Sequence, residues 1–365
     1  MVASLYTHIP LCTHKCSYCH FYVVPDKESY RALVSEGLKK EWESYASSFD
    51  QRKLSSVYFG GGTPSLFGPD RIRDLVTLLP CKDAEITLEA NPENLSRQLI
   101  EEYASAGINR LSIGVQSLDN QQLSLLTRTH SANKAIDAVK DAYAAGIPNI
   151  SIDLMYDIPG QTLESWCKTL KSAVQLPIKH ISLYNLTIEP HTVFFKHKKE
   201  LQKTLPSDET SAQMYRMAVE ILTTHGFEQY EISAFSKPGF HSVHNSGYWT
   251  DREFIGLGPS AFSYWNGKRF RNIARLHQWH NRVMSGLSAT DYSESLSPGA
   301  LQREKLAIRL RLMKGAELDQ FHLDEETLQA IDRLKASGLL LEKNGYLKPT
   351  EKGILFYDTV ASEII

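Results

Sequence analysis

The sequence predicts an α/β chain, a partial (β/α)6 barrel followed by a C-terminal winged-helix-like α+β module. Three observations point there. Short runs rich in β-branched and aromatic residues alternate with longer helical patterns, polar residues gather where those runs end, and the pattern changes after about residue 290.

The strand candidates are Leu5–Ile9, Ser56–Phe59, Glu85–Leu88, Arg110–Val115, Ile150–Leu154 and His180–Leu186, with helical stretches near 29–46, 69–79, 96–105, 132–145 and 164–175. Such alternation argues for βαβ units and a parallel sheet. Gly107 and Gly146, each in an Ala-Gly-Ile run, read as helix C-caps just before a strand.

The polar segments follow the strands in order. A cysteine loop follows the first, Gly60-Gly-Gly-Thr-Pro64 the second, Glu89-Ala-Asn-Pro92 the third and Gln116-Ser117 the fourth. Asp153 lies in the fifth, and Asn185-Leu-Thr187 ends the sixth. In (β/α) barrels the strand C-termini build the site, so six separate segments are expected to converge on one mouth.

Toward the C-terminus, Glu304–Leu312 and Glu325–Ser337 read as helices. Gly338–Glu342 and Tyr346–Pro349 then read as a hairpin about a type I′ turn at Asn344-Gly345. Helices followed by a hairpin resemble a winged helix. Without a strongly basic recognition helix, a packing or lid role is expected rather than DNA binding. The expected division is 1–230 for the barrel, 231–290 for a connecting segment and 291–365 for the C-terminal domain.

Composition narrows the function classes. Lys+Arg is 40 and Asp+Glu is 42, a formal net charge of −2, which gives no ground for a nucleic-acid partner. No run of about 18 apolar residues exists, so no transmembrane segment is expected. The N-terminus lacks the charged and apolar regions of a signal peptide, and the chain reads as cytoplasmic. Three of the five cysteines fall within eight residues, which in a reducing compartment suggests metal binding. Cys81 and Cys167 read as ordinary thiols.

Cys12, Cys16 and Cys19 have the spacing C-x3-C-x2-C. Thiolates suit Fe–S clusters and zinc. Zinc wants four closed ligands, and His14 or His20 would supply the fourth. A [4Fe–4S] cluster on three thiolates instead leaves one iron open to a chelating molecule. The Gly60–Thr63 run offers backbone N–H donors and close approach to such a molecule, although glycines after a strand also simply make turns.

The cysteine spacing, placed after the first barrel strand, resembles the radical-SAM signature, and the likeness runs from residue 5 to about 190. It implies a [4Fe–4S] cluster whose open iron is chelated by S-adenosylmethionine (SAM), with reductive cleavage to a 5′-deoxyadenosyl radical. Tyr6-Thr-His-Ile-Pro10, Tyr58-Phe-Gly-Gly-Gly-Thr-Pro-Ser65, Glu89-Ala-Asn-Pro-Glu93, Gly114-Val-Gln-Ser117, Ile152-Asp-Leu-Met-Tyr156 and Pro159-Gly-Gln-Thr162 narrow it. They resemble the coproporphyrinogen III dehydrogenase and haem-chaperone branch over nearly the whole chain. By matching position, the implied SAM contacts are Tyr6, Tyr18, Gly61, Gly62, Thr63, Glu89, Gln116, Arg128, Asp153 and Thr187. Glu89 and Asp153 are expected at the ribose hydroxyls or methionyl amine, and Arg128 at the carboxylate. Two positions depart from the pattern: Asp157 stands where glycine is usual, and His20 where an acidic residue often follows the third cysteine.

Within that branch the oxidases resemble this chain but add a fourth cysteine, where Phe21 stands here, and carry more sequence before the barrel. The haem chaperones known as HemW carry an H-N-x-x-Y-W element, here His244-Asn245-Ser-Gly-Tyr248-Trp249. An imidazole can ligate haem iron, and Tyr and Trp can line a macrocycle, although the same residues can simply pack the barrel. His241 is a rival ligand. The resemblance thus implies haem as cargo, haem-accepting proteins as recipients, respiratory ones at a membrane surface among the candidates, and an electron donor. A coproporphyrinogen III oxidase of porphyrin biosynthesis is the alternative. A tRNA-modifying enzyme is disfavoured by the balanced charge. The element is expected in a loop beyond the barrel strands.

Overall fold

The computed structural model describes residues 2–365. Six parallel strands run through the chain: β1 (Val2–Ile9), β2 (Lys53–Gly61), β3 (Glu85–Ala90), β4 (Arg110–Gln116), β5 (Ile150–Tyr156) and β6 (His180–Asn185), paired in that order. Helices Glu28–Tyr45, Pro69–Leu78, Arg97–Ser105, Ala132–Ala144 and Leu163–Ala173 separate them, as the alternation predicts. Gly107 and Gly146 adopt φ of +102° and +88° directly after their helices, the left-handed turn that lets each chain double back into a strand.

Period-2 alternation gives each strand two unlike faces. Leu5, Ile9, Val57, Phe59, Leu88, Leu111, Ile113, Val115, Ile152, Leu154, Ile181 and Leu183 join one large buried apolar cluster. The intervening residues are polar and bond across strands inside the curve. Ser56 Oγ donates to Ser4 Oγ at 2.9 Å, Tyr58 Oη to Glu89 at 2.8 Å, and Ser112 Oγ to Asp153 at 3.4 Å. The lumen is therefore lined with polar side chains, while the hydrocarbon core lies between sheet and helices.

The segment 231–290 differs from the expected connector. Strand Glu253–Leu257 pairs with the outer edge of β1 as a seventh parallel strand. Phe262–Trp265, Lys268–Asn272 and Thr290–Ser295 continue from it as an antiparallel meander, and Ala234–Ser236 and Glu228–Glu231 extend the opposite edge beyond β6. Ile255, Leu257, Trp265, Trp279 and Val283 belong to the same apolar cluster as the barrel, so burial joins this stretch to the sheet. One buried carboxylate fastens it. Glu41, on the first helix, accepts from Gly258 N at 2.8 Å, Asn272 Nδ2 at 2.7 Å and Trp279 Nε1 at 3.2 Å.

The C-terminal region has its own core around Leu306, Leu310, Ile331, Leu334, Leu340, Leu347 and Val360. Its helices are Pro298–Arg309, Glu325–Ala336 and Tyr357–Ile364, the first beginning earlier than expected because Ser297 caps it and Pro298 starts it. Leu340–Lys343 and Tyr346–Pro349 form the hairpin, with Ala316–Glu317 as a third strand, and Asn344 and Gly345 both at positive φ, as a type I′ turn requires. Backbone bonds Ile232 N to Arg311 O and Met313 N to Tyr230 O, with the Arg309–Asp251 and Arg311–Glu231 ion pairs, dock it on the barrel.

Trp279→Ala should remove a fully buried ring and one of three donors to Glu41, costing about 3–5 kcal/mol. Chemical denaturation monitored by far-UV circular dichroism would show the midpoint fall; a change under about 1 kcal/mol would mean that this fastening carries little stability.

Candidate functional site at the barrel mouth

The C-terminal ends of the strands surround a cavity of about 370 Å³. Cys12, Cys16 and Cys19 line one side of it, on a loop that leaves β1 through the short strand Leu11–Cys12 and returns through Val24–Pro25, which pairs with it in parallel. Four contacts hold the loop to the barrel. Thr63 N donates to Leu11 O at 2.7 Å, Ser17 N to Thr127 Oγ1 at 3.0 Å and Phe194 N to Ser17 O at 2.9 Å, and Thr63 Oγ1 lies 3.6 Å from Cys12 Sγ. Among the described residues, no three His, Cys, Asp or Glu side chains converge where a single metal ion would sit. Sulfurs bound to different irons of a cluster need not converge, whereas those of a closed zinc site must.

Arg128 links this loop to the strands. It is partly buried, and its Nη1 lies 3.5 Å from Cys16 Sγ, while Nη2 donates to Asn91 Oδ1 at 2.6 Å and Gly114 O at 2.9 Å. A Cβ at Gly114 would lie 3.0 Å from Gln116 Nε2, 3.2 Å from Asn91 Oδ1 and 3.5 Å from the guanidinium, so a side chain there would push this polar group aside by a few tenths of an ångström. Arg128 Nε is buried without a partner, a donor left over at the cavity.

Deeper in the cavity lie two carboxylates. Glu89 accepts from Tyr58 Oη and, at 3.1 Å, from Gly61 N; burial, opposed by the Tyr58 bond and reinforced by Asp153, pushes its carboxyl up to about 7. Burial pushes Asp153 up to about 6, against bonds from Ser182 and Ser112. Arg110, which favours ionisation of both, lies 3.9 Å from Glu85 and leaves Nε and Nη1 without hydrogen bonds. The cavity thus presents carboxylates that lack a cation of their own.

Of the ten SAM contacts implied by resemblance, Tyr18, Gly61, Gly62, Thr63, Glu89, Gln116, Arg128, Asp153 and Thr187 line this cavity. Tyr6 does not. Its ring packs under Gly60 and its hydroxyl lies 3.0 Å from His8 Nδ1, one layer below, because β1 has continued inward of the cysteine loop. Gly62 lines the cavity but serves the loop: a Cβ there would lie 2.5 Å from Leu11 O, so its bareness admits the backbone of the cysteine segment. Asp157, where glycine is usual, adopts φ of +62°, and its carboxylate accepts from Asn185 Nδ2 and Ser211 Oγ, both at 2.5 Å, which ties down a left-handed turn.

Ser112, Met155 and Tyr184 also line the cavity and were not expected there, whereas Asn91 lies in the segment after the third strand that was. The available signal was lumen alternation: Arg110, Ser112, Gly114 and Gln116 share one face of β4, and His180, Ser182 and Tyr184 one face of β6. Gln116 stays with that face through a register shift and φ of +64°.

The H-N-x-x-Y-W element lies elsewhere, and not in a loop. Val243–Trp249 is a short helix, N-capped by Ser242, set against the N-terminal half of β2. His244 is buried; its Nδ1 lies 3.0 Å from Ser56 Oγ and its Nε2 2.9 Å from Tyr248 Oη. Burial lowers its imidazole to about 3, and both ring nitrogens are engaged. Its ring packs 4.8 Å from Tyr58, while Glu85 accepts from the backbone of Val243 and His244. Asn245 is half-buried, Trp249 lies under Arg311 at 4.4 Å, and His241 stacks on Tyr230 at 4.2 Å. Polar partners inside the lumen are what pull this segment into the barrel.

A parallel barrel with a three-cysteine loop at its mouth defines a radical-SAM protein, and the profile of the radical SAM superfamily matches residues 6–173. The chain is 35% identical over 323 residues to the haem chaperone HemW of Lactococcus lactis, covering 87% of this chain and 84% of that one. It is 31% identical to HemW of Bacillus subtilis, covering 96% and 94%. It also matches the mitochondrial radical S-adenosyl methionine domain-containing protein 1 of Danio rerio, at 32% identity over 100% and 87%. The chain belongs to the HemW family. The solved structure of Escherichia coli coproporphyrinogen III oxidase shares the fold, with a TM-score of 0.86 at 24% identity over 100% of this chain and 90% of that one. Membership of the superfamily brings SAM and a [4Fe–4S] cluster.

Gly62→Val should force the Leu11 backbone away and disturb the cysteine loop itself, so iron uptake on anaerobic reconstitution should fall together with SAM binding. Full iron content with SAM binding alone lost would instead place the Gly62 side chain direction in the SAM cradle.

Proposed function

We propose that this chain is a haem chaperone that binds haem and passes it to haem-dependent proteins, and that its barrel mouth holds a [4Fe–4S] cluster on Cys12, Cys16 and Cys19 beside a SAM site. The observation that supports it most is the joint presence of the three-cysteine mouth and the H-N-x-x-Y-W segment in a chain 31–38% identical to several HemW proteins. When bound, the cluster supplies the electron and the open coordination position for SAM chemistry. Arg128 Nη1 lies beside Cys16 Sγ and holds that cysteine against the barrel. Glu89 and Asp153 receive the cationic and hydroxyl groups of SAM, and Arg128 Nε is the free donor for its carboxylate. Phe21, in place of a fourth cysteine, favours the chaperone over an oxidase.

Haem ligation by His244 carries a structural condition. Ligation requires breaking its bond to Ser56 or to Tyr248, so the Val243–Trp249 helix has to move out of the barrel when haem binds there. Its partners in this reading are haem-accepting proteins and an electron donor. No helix among the described residues is long and apolar enough to cross a membrane.

The deciding experiment offers the anaerobically reconstituted protein haem and, separately, coproporphyrinogen III with SAM and a strong reductant. Stoichiometric haem binding, with transfer to an apo-haem protein and without porphyrinogen turnover, is expected. Repeated conversion to protoporphyrinogen IX would make the chain an oxidase.

SAM affinity should depend on pH. Glu89 has to be ionised to hold a cation, so affinity should be steady above about pH 8 and fall as pH drops through about 7. Binding at pH 6 should be roughly tenfold weaker than at pH 8, and Glu89→Gln should flatten that step while weakening binding at high pH by about 1.5–3 kcal/mol. Isothermal titration at the two pH values checks this; an unchanged slope in the variant would assign the titration to another group.

A further inference from the structure

We propose that the outer rim of the cysteine mouth is a docking site for haem, with His20 as an axial ligand to its iron. This deepens the haem-chaperone reading and rests on it. The first observation is a contrast between imidazoles. His244 is buried with both ring nitrogens engaged, whereas His20 is exposed at the cavity rim and its ring makes no hydrogen bond among the described residues. A neutral imidazole with a free nitrogen is what ferric haem takes as an axial ligand.

The second observation is the surface beside it. Phe21 is 54% exposed, its ring 4.8 Å from that of His20, and it stands at the same opening as Val23 and Leu186. The short helix Val193–Lys196 is seated on the cysteine loop through Phe194, which packs on Tyr18. That helix presents Val193 and Phe195 to solvent, 47% and 43% exposed. Single exposed apolar residues are ordinary, but Phe21 at the opening and Val193 and Phe195 on a helix seated on the same cysteine loop make an apolar group that marks a surface something covers.

The third observation is charge. Lys15 lies on the cysteine loop, and Lys196, Lys198 and Lys199 follow Phe195 in exposed positions, with Glu189 and Glu200 the acids nearby. A flat apolar ring carrying two carboxylates matches exposed Phe21 with Lys15 at the opening and the exposed lysines of the segment seated on the cysteine loop. The macrocycle then lies over Phe21, its iron at His20, and its propionates toward the lysines. The anionic lumen behind repels those propionates, so haem stays at the rim.

The test titrates ferric haem into the cluster-loaded protein under anaerobic conditions, reading the visible spectrum, the affinity and the iron content of the cluster. His20→Ala should weaken haem binding about tenfold and shift the haem band, with cluster iron retained, and free imidazole should restore the spectrum. His14→Ala, the neighbouring exposed histidine, should leave the band in place, and Lys196→Glu with Lys199→Glu should weaken binding severalfold. Unchanged spectrum and affinity in His20→Ala, with both lost in His244→Ala, would overturn the rim site and leave the chaperone reading intact. Loss of cluster iron in step with haem would also overturn it, because His20 would then serve the cluster. Absence of haem binding by the unaltered protein would sink both readings.

Discussion

Glu89 and Asp153 are held inside a barrel with no cation bound to either, and much of the molecule is arranged around that constraint. A carboxylate in a low-dielectric enclosure rises in pKa unless donors surround it, and these two have risen to about 7 and about 6. Tyr58, Gly61 N, Ser112 and Ser182 moderate the cost by hydrogen bonding, which requires β2, β4 and β6 to turn polar side chains inward. The hydrocarbon of those strands then faces the helices. The polar lumen and the apolar jacket are therefore one decision, made by residue alternation.

The same polar lumen explains the segment at its far end. A channel lined by Ser4, Ser56, Glu85 and Arg110 cannot be closed by hydrocarbon without stranding donors and acceptors. The Val243–Trp249 helix closes it with matching groups: two backbone N–H groups for Glu85, and an imidazole bridging Ser56 and Tyr248. His244 packs on Tyr58, and Tyr58 bonds Glu89, so the closure touches the carboxylate that faces the mouth. Withdrawal of His244 for iron ligation would loosen Tyr58, which gives the two ends a physical route of communication.

The strands, most helices, the type I′ hairpin and the cysteine mouth were legible because each rests on local signals: alternation, glycine caps, and ligands within eight residues. What failed depended on distant partners. The helical, buried state of His244 is decided by Ser56, nearly two hundred residues earlier, and nothing beside His244 announces it. Gly62 looked like a cradle because glycines near a ligand site often are; its crowding by Leu11 O appears only when the strands are side by side. The strand Glu253–Leu257 was not among the expected ones; Gly256 is where Phe262 O would come within 2.0 Å of a Cβ position, so the glycine permits a close strand pair. Tyr184 was hidden by its ordinary look as a strand aromatic, and only its lumen register places it at the cavity.

The mouth is electrically two-layered, and the layering sorts what enters it. The strand ends hold Glu89 and Asp153, and the exposed cysteine loop carries Lys15, with Arg128 linking the loop to the strands. SAM carries a sulfonium and an ammonium beside a carboxylate, so it lowers its energy by placing the cations inward and the carboxylate toward Arg128. Haem carries its charge as two carboxylates on an apolar disc, and the same field holds that edge outward. One opening can thus serve both molecules at different depths without a partition. Cys12, Cys16 and Cys19 lie where the two depths meet, with the Arg128 guanidinium 3.5 Å from Cys16 Sγ.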